Sequence, residues 1–584
     1  MRRDGKFVNR WTGACRAVAI LSALATSGSI EARAESRPAT TPATARPAIV
    51  AAANPLAAEA GLAMLRRGGS AVDAMVAVQL ALGVVEPQSS GIGGGALLLY
   101  WDETARHLRA FDGLARAPAK VTAGLMVDEA GETLSEPDRR RVGRSGRSVG
   151  APGTMKLMWE LHRTAGRLPW AELFAPAIDL AEGGFPLPPY LRRAITGSSF
   201  APEAAAARVL FLDGMGQPPA PGTRMRNPDL AATLRLLAAA GVAPLYGGVL
   251  GRQIVEAVKT GPLPGHLTID DLASYRMAER EPVCGWFRGR RVCAMPPPSV
   301  GGIAVLQILG MVDRKTNGPV GFDSLRTMHI YAEATRLAAI DRLAWVGDPD
   351  HVAVPSVALV STGYVDGRAE LIEEDRRLEA ALPGAPDGLS ADGADTFCTP
   401  PPTSTSQVAI ADAAGNAISL TTTINLNFGS HVVAAGFPLN NVATNFARAP
   451  KPAMRSPNAM APGKRPVTSM APVIAFDASG QVEIVGGSAG GGEIVGYVAQ
   501  SLLEMMANDR TPQEALAAPH VVVMCDQVGL EKGTDVAELR SAMEAIGHNV
   551  AARNLPSGLQ FIRRVEGGWI GGADPRRDGA ALGR

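Results

Sequence analysis

The chain has few cysteines, few aromatic residues and almost no net charge. Its 584 residues include 5 Cys and 5% aromatic side chains, and the formal net charge is +1. No C-x-x-C pair and no H-E-x-x-H occur, so we expect no metal site. No Lys/Arg-rich block is interleaved with aromatic residues, and we therefore expect no nucleic-acid partner.

Long apolar runs are missing beyond the N-terminus. The run at residues 75–85 (MVAVQLALGVV) is too short to span a bilayer, so no membrane partner is expected. Residues 1–16 are basic, residues 17–25 (AVAILSALA) are apolar, and residues 32–34 (ARA) form a small-x-small cleavage pattern. This order predicts a secretory signal peptide over residues 1–34, cleaved near Ala34, and a periplasmic or secreted protein. An ordinary first helix is the alternative.

What remains is the composition of a folded globular protein, with 46% apolar and 19% charged residues. Between about residues 150 and 380, apolar residues recur at intervals of three and four, which predicts helices. After residue 405 the chain has short alternating runs broken by Asn and Gly, which predict strands. Residues 382–404 are rich in Pro, Gly, Ser and Asp and are typical of a linker. Helices layered around packed sheets are the expected architecture.

Two features near the N-terminus constrain local structure. Ser70, followed three residues later by Asp73, predicts a capped helix over the apolar stretch that follows. The glycine-rich segment at residues 86–95 (EPQSSGIGGG) precedes a strand rather than joining a strand to a helix. That order excludes a dinucleotide-binding loop and a P-loop. A close backbone approach and a substrate-facing turn both stay open.

The segment at residues 282–298 (PVCGWFRGRRVCAMPPP) predicts a β-hairpin with Cys284 and Cys293 facing each other. A disulfide there fits an oxidising compartment. Two buried, unpaired thiols are an equal alternative.

Thr405 stands at the boundary between the linker and the first predicted strand of the C-terminal region. A Thr hydroxyl is a weak nucleophile until a base activates it. If the backbone is cut just before the Thr, its new α-amine, with a pKa near neutrality, can serve as that base. A cleavable linker before a rigid strand suits this chemistry.

Several segments together resemble the γ-glutamyltransferases (glutathione hydrolases), a family of N-terminal-nucleophile hydrolases. The resemblance covers roughly residues 48–578, and its motifs include GGSAVDAMVAVQLALGVVEPQSSGIGGG, MPPPSVGG, DRLAWVGDPDHVAVP, GNAISLTTTIN, GKRPVTSMAPVI and GGSAGGGEI. It implies an α+β fold, a four-layer αββα sandwich. It also implies self-cleavage into a large part, residues 35–404, and a small catalytic part, residues 405–584. The two parts would stay associated as a heterodimer in one domain, with no cofactor.

The resemblance also implies site residues. The scissile bond is Ser404–Thr405, Thr405 is the nucleophile, and Thr423 orients its hydroxyl. The amides of Gly490 and Gly491 would form the oxyanion hole. The expected substrate-binding residues are Asn425, Asn445, Thr468, Ser469 and Arg116.

Departures from the family pattern fall mainly on recognition of the substrate. Leu114 stands where the family has an Arg that clamps a carboxylate, and Arg116 lies two residues on as a possible substitute. Asn445 and Val442 replace an Asp that holds the substrate's α-amino group and a nearby Gln. After the nucleophile, Gln407 and Ala409 replace His and Ser.

The expected activity is attack on a γ-glutamyl, glutathione-type amide, followed by hydrolysis or transfer to an amine. Two alternatives remain open from the sequence. One is an amidase with another acyl specificity, for example a glutaryl-type acyl group. The other is an unprocessed, non-catalytic binding relative. A Ser-His-Asp hydrolase is not favoured.

Overall fold

The computed structural model describes residues 44–127, 132, 134–261, 263–394, 404–447 and 455–584. The predicted signal peptide, residues 1–34, and the part of the linker just before Ser404, residues 395–403, lie outside the described residues. Every helix and strand below belongs to one compact unit.

The helices are α1 (Pro55–Arg66), α2 (Ala71–Val85), α3 (Glu136–Gly143), α4 (Thr154–Ala165), α5 (Ala175–Gly183), α6 (Pro189–Thr196), α7 (Ala205–Phe211), α8 (Pro228–Ala240), α9 (Val249–Lys259), α10 (Ile269–Ala273), α11 (Gly301–Lys315), α12 (Leu325–Trp345), α13 (Ser356–Leu359), α14 (Thr362–Glu370), α15 (Ile494–Met506), α16 (Pro512–Ala517) and α17 (Arg540–Ala545). The strands are β1 (Ile49–Ala52), β2 (Gly95–Asp102), β3 (His107–Gly113), β4 (Phe185–Pro186), β5 (Arg224–Met225), β6 (Ala278–Arg280), β7 (Val283–Phe287), β8 (Arg290–Ala294), β9 (Ser406–Ala411), β10 (Ala417–Thr423), β11 (Val433–Ala434), β12 (Phe437–Pro438), β13 (Val473–Phe476), β14 (Val482–Gly487), β15 (Val521–Met524), β16 (Gln527–Glu531), β17 (Asn549–Arg553), β18 (Gln560–Val565), β19 (Gly568–Ala573) and β20 (Ala580–Gly583).

Two large sheets form the centre of the molecule. The first has seven strands in the order β20-β1-β9-β10-β2-β3-β6, and the second has six in the order β19-β18-β14-β13-β8-β7. Each sheet therefore combines strands from before and after the predicted scissile bond. The pairings within both sheets are antiparallel.

Alternation along β2 shows how the layers stack. Leu98 and Tyr100 face one apolar cluster together with α1 and α2, whereas Leu99 and Trp101 face the second sheet. The Trp101 ring lies edge-on to Phe476 of β13, with the ring centroids 4.9 Å apart. Successive strand residues point to opposite faces, so this pattern buries both faces of the sheet. Helices α11, α12 and α15 cover the far side of the second sheet. The αββα expectation is confirmed.

The hairpin β7–β8 pairs Cys284 directly with Cys293, and a disulfide joins them. Of the two alternatives that the sequence left open, the structure has the disulfide.

The glycine-rich segment before β2 is a place of close backbone approach. A Cβ on Gly94 would lie 2.2 Å from the Thr423 carbonyl oxygen, and one on Gly93 would lie 2.3 Å from that of Pro438. Neither position has room for a side chain. The backbone of this segment therefore packs directly against the end of β10, where Thr423 lies.

Candidate active site

The β9–β10 hairpin brings the two predicted catalytic threonines together. Its ladder runs from Ala417 opposite Ala411 to Thr422 opposite Ser406. The next residues outward are Thr405 and Thr423, and their Oγ atoms lie 3.4 Å apart. A spacing of 18 residues thus becomes a contact because the hairpin turns at residues 412–416.

The carbonyl of Ser404 is the focus of this contact. Thr423 Oγ donates a hydrogen bond to that oxygen at 2.9 Å, and Thr405 Oγ donates to it as well. Thr423 Oγ in turn accepts from the Asn425 backbone N–H at 2.8 Å. A short hydrogen-bonded chain therefore ends on the carbonyl of the predicted scissile bond, and it would polarise that carbonyl.

Other contacts fix the main chain around the Ser404–Thr405 bond. Arg577 Nη1 donates to the Thr405 carbonyl at 3.0 Å, and Ser404 Oγ donates to the Gln88 carbonyl at 2.7 Å. Ser404 is 2% exposed and Thr405 is 3% exposed. The sequence interpretation did not single out Arg577, although it follows Arg576 in the GGADPRRDG segment, because nothing local indicates which of the two arginines faces Thr405.

A cavity of about 520 Å³ opens beside this bond. It gathers predicted site residues from distant parts of the chain: Ser404, Thr405, Thr423, Asn425, Asn445, Thr468, Ser469 and Gly491. A volume of this size suits a small molecule. Gly490 and Arg116 are not among the residues that line it.

Gly490 and Gly491 lie between β14 and α15. Their φ angles are 136° and 61°, and a Cβ on Gly490 would lie 2.6 Å from the Tyr497 ring. Neither amide donates a hydrogen bond to any residue in the described part of the chain. Two backbone donors at the start of a helix are thus available to an oxyanion, although only Gly491 touches the cavity.

Thr468 and Ser469 are held by the loop that precedes α11. Thr468 N–H donates to the Pro298 carbonyl at 3.2 Å, and its own carbonyl accepts from Val300 at 2.9 Å. The PPPSVGG motif therefore acts as the support for this wall of the cavity.

Asn425 and Asn445 reach the cavity differently. The Asn425 side-chain amide donates to Thr444 Oγ1 at 2.8 Å and to Asn441 Oδ1 at 3.1 Å, which fixes its orientation. The Asn445 side chain makes no hydrogen bond to a described residue; only its carbonyl is engaged, by Asn458 at 2.8 Å. Asn425 is therefore the more rigid of the two.

Arg116 does not take the place of the missing family arginine. Its Nε donates to the Gly463 carbonyl at 2.9 Å, and its backbone pairs with Ala151. Leu114 is buried in the core between the sheets, away from the cavity. The two-residue offset turns Arg116 toward a loop carbonyl, so its predicted contact with substrate lacks structural support.

Three further altered positions, Gln407, Ala409 and Val442, also lie away from the cavity, whereas Asn445 lines it. Gln407 lies between the two sheets, where its Oε1 accepts from Thr421 Oγ1 at 2.6 Å and its Nε2 donates to Ser419 Oγ at 3.1 Å. Ala409 and Val442 are likewise buried and do not line the cavity. The changes at Gln407 and Ala409 therefore fall in the packing of β9, and the change at Val442 falls in a buried turn, rather than in the lining of the site.

On the opposite face of β9, Ser406 leads to a buried carboxyl that the sequence interpretation overlooked. Ser406 Oγ donates to Glu86 Oε2 at 2.7 Å. Burial raises the pKa of Glu86 to about 7, and the nearby charge of Arg577 opposes that rise. Glu86 is the first residue of the EPQSSGIGGG segment, which the sequence interpretation considered for its glycines only.

Arginines dominate the charge of the cavity wall. Among the described residues, Arg139, Arg140 and Arg144, on or just after α3, and Arg342 of α12 line the cavity, and Glu136 is the one acidic side chain beside them. The Glu136 side chain is 66% exposed and lies 3.4 Å from Arg139. The cavity is therefore suited to anions, which the near-neutral composition of the whole chain does not reveal.

One pentapeptide, residues 486–490 (GGSAG), does have the G-x-S-x-G spacing after a strand, which the sequence interpretation passed over. Ser488 is 0% exposed and donates to the Ala489 carbonyl at 2.7 Å. No histidine in the described residues is hydrogen-bonded to it. Ser488 therefore has none of the geometry of a triad nucleophile.

In the described part of the chain, one group could coordinate a metal by geometry: His329, Glu333 and His548. These side chains are already engaged. His329 Nδ1 contacts His548 Nε2 at 2.8 Å, its Nε2 contacts the Glu373 carbonyl at 2.7 Å, and Arg336 pairs with Glu333 at 2.8 Å. A cation would have to displace the Arg336 charge, so the cluster is better explained as a buried polar network.

Two sheets stacked between helix layers, with a buried Thr just before a central strand and facing a cavity, define the N-terminal-nucleophile hydrolase class. Comparison with known proteins agrees. The sequence profile of the gamma-glutamyltranspeptidase family matches residues 57–584. The chain belongs to the gamma-glutamyltranspeptidase family.

Individual relatives carry two kinds of name, acylase and glutathione hydrolase. The Acylase ACY 1 proenzyme of Pseudomonas sp. (strain SE83) is 36% identical over 550 residues, covering 93% of this chain and 94% of that protein. The Glutathione hydrolase proenzyme of Bacillus subtilis (strain 168) is 33% identical over 546 residues, covering 92% and 91%. A solved cephalosporin acylase from Bacillus halodurans superposes with a TM-score of 0.82 at 29% identity, covering 94% and 98%.

The chain is thus an enzyme of the hydrolase and acyltransferase type. Within the described residues, no helix has both the length and the apolar character needed to cross a membrane.

Proposed function

We propose that this protein is a self-processing threonine amidohydrolase that acts on the amide of a short dicarboxylic acid. The observation that carries the proposal is the position of the Thr405 hydroxyl. It lies against the carbonyl of Ser404, next to Thr423, at the wall of a cavity lined with arginines.

The first step is cleavage of the chain itself. Thr405 Oγ attacks the Ser404 carbonyl carbon, and the peptide C–N bond breaks to leave an ester and a free Thr405 amine. Thr423 Oγ, already donating to that carbonyl oxygen, stabilises the charge that develops on it. Water then hydrolyses the ester. Residues 405–584 become a separate chain, and residues 1–34 are proposed to leave earlier as the signal peptide.

The mature site then repeats the chemistry on a substrate. The Thr405 α-amine accepts the proton of its own hydroxyl as Oγ attacks the substrate amide carbonyl. The amides of Gly490 and Gly491 are the proposed oxyanion donors, and Gly491 lines the cavity. The amine leaves, and water or a second amine releases the acyl group from Thr405.

The choice of acyl group follows from charge. A γ-glutamyl group brings both a carboxylate and an ammonium, and the ammonium needs an acidic partner. Asn445 stands where the family has that Asp, and Glu136 is exposed and lies beside Arg139. An acyl group that ends in a carboxylate alone matches this wall better.

The γ-glutamyl amide is the second candidate. The Asn425 amide hydrogens are engaged by Thr444 and Asn441, while no described residue donates to its Oδ1. That oxygen could accept from a substrate ammonium.

Self-cleavage is tested by intact mass and N-terminal sequencing of the purified protein. We expect two chains, one beginning at Thr405. Thr405→Ala should remain a single chain, whereas Thr405→Ser, which keeps a hydroxyl, should still be cut. A wild-type protein that stays uncut after long incubation would favour the non-catalytic alternative.

Specificity is tested on the processed enzyme with matched glutaryl and γ-glutamyl p-nitroanilides. Because an unpaired buried charge weakens binding, we expect kcat/KM to favour the glutaryl substrate by about 10-fold or more. Faster turnover of the γ-glutamyl anilide would reject the dicarboxylic preference and leave the second candidate.

A further inference from the structure

Arg342 is partly buried and differs from several other arginines of low exposure in this protein. Arg280 pairs with Asp112 at 2.9 Å, Arg336 with Glu333 at 2.8 Å and Arg368 with Asp341 at 3.1 Å. Arg342, by contrast, has neither a hydrogen bond nor an ion pair from its guanidinium to any residue in the described ranges. Burial alone lowers its pKa to about 10.

The location of Arg342 indicates which group could pair with its guanidinium. Arg342 lies in the last turn of α12 and lines the Thr405 cavity together with Leu343 and Val346. The three arginines on or just after α3 differ in setting. Arg140 and Arg144 are exposed, and Arg139 lies beside Glu136. In the described cavity wall, Arg342 is thus the partly buried arginine that has neither an acidic partner nor a hydrogen bond. Burial also lowers the pKa of Arg144, but that side chain donates to the Ser199 carbonyl at 3.3 Å.

A cation that is partly removed from water and has no counter-ion is unfavourable, so such groups are ordinarily paired or bind an anion. The guanidinium is planar and suits a carboxylate in a bidentate pair. We infer that Arg342 is the residue of the Thr405 cavity that binds the substrate carboxylate, serving the purpose of the arginine that the family has at the position of Leu114. This inference rests on the proposed function and names the residue behind its specificity.

The kinetic experiment compares processed wild type with Arg342→Gln, Arg342→Lys and Arg163→Gln. Arg163 lies on α4, outside the cavity, and is a matched loss of one charge. The substrates are glutaryl p-nitroanilide and pentanoyl p-nitroanilide, which has no carboxylate. Arg342→Gln should lower kcat/KM for the glutaryl substrate by about 30-fold or more. It should change kcat/KM for the pentanoyl substrate by less than about threefold, because that substrate makes no ion pair.

Arg342→Lys keeps the positive charge but loses the planar guanidinium that can make two parallel hydrogen bonds to a carboxylate. Its kcat/KM should fall less than that of Arg342→Gln, and with the glutaryl substrate only. Arg163→Gln should match wild type with both substrates. An equal loss on both substrates in Arg342→Gln would mean that Arg342 only supports the fold, and would overturn the inference.

A second readout does not depend on turnover. Calorimetric titration of processed protein with glutarate should give binding to wild type that Arg342→Gln weakens by about 30-fold or more. Equal affinity in the two proteins, or no binding to wild type, would overturn the inference. If neither anilide is hydrolysed, the proposed function fails, and the titration still decides the role of Arg342. Extent of self-cleavage and thermal midpoint verify that each variant has folded.

Discussion

At the scale of single residues, strand alternation on β9 separates two environments. Ser406 faces Glu86 and Ser90, whereas Gln407 faces the second sheet and its network with Ser419 and Thr421. Thr405, one residue before the strand, faces Thr423. A shift of one residue in this register would exchange these sides and remove the threonine contact.

Glu86 gives a prediction about pH. Its folded-state pKa of about 7 is above the ordinary 4.5, so its stabilising contribution is complete below pH 4.5 and is lost as the pH rises through 7. In a Thr405→Ala background, Glu86→Gln should have nearly the parent's free energy of unfolding at pH 4.5. At pH 8 it should be more stable by about 3 kcal/mol.

Urea unfolding of the two proteins at several pH values between 4.5 and 8 measures this difference. A difference that stays constant over the whole range would contradict a carboxyl that is protonated because it is buried.

At the scale of elements, local signals predicted several boundaries well. Ser70 caps α2, and the reciprocal hydrogen bonds with Asp73 form the expected capping box. The turn at residues 412–416 joins β9 to β10, and Asp412 accepts from Asn416 N–H at 3.0 Å. Such signals are readable because cap and turn residues contact their own neighbours in sequence.

The segment before β2 gives a prediction about packing. Gly94→Ala would press a methyl group onto the Thr423 carbonyl, so we expect it to slow self-cleavage and lower the free energy of unfolding by about 1–3 kcal/mol. Gly83→Ala in α2 is the control, since its nearest neighbour would be 3.5 Å away. Alanine in a helix should leave stability unchanged or raise it by up to about 1 kcal/mol.

The measurements are urea unfolding and the time course of cleavage by denaturing gel. Wild-type behaviour in Gly94→Ala would show that the close approach to β10 does not hold Thr423 in position.

At the scale of the whole molecule, both sheets are built across the predicted cut. β1 and β2 lie on either side of the β9–β10 hairpin, and β13 pairs with β8. Separation of the two parts would break these hydrogen-bonded ladders and expose the apolar core between the sheets. The free-energy cost of that exposure is far larger than the entropy that the two parts would gain once the peptide bond between them is cut.

We therefore expect the cleaved protein to behave as one particle. Its two chains should co-elute in size-exclusion chromatography and separate only under denaturing conditions, with a single unfolding transition in urea. Separation of the chains in native buffer would contradict the shared-sheet argument.

The motifs of the sequence, through the family they resemble, were enough to predict the fold class and the part of the cavity wall that lies around Thr405. Motifs such as GNAISLTTTIN and GKRPVTS keep their order along the chain, and they fix strand, turn and loop through local contacts. The contact between Thr405 and Thr423 was expected from the family resemblance, and the register of the β9–β10 hairpin explains it physically, because a two-residue period and a short turn place the two residues opposite each other.

Which charged side chains lie around Thr405 could be read from the folded structure but not from the sequence. Arg116 looked suitable by offset, but its side chain is turned to the Gly463 carbonyl. Arg342 lines the cavity from a helix. Glu86, at a helix end, contacts Ser406, and Arg577, in a C-terminal loop, contacts the Thr405 carbonyl. Their convergence depends on how the layers pack, and contacts between residues far apart in sequence leave no periodic pattern from which to predict them.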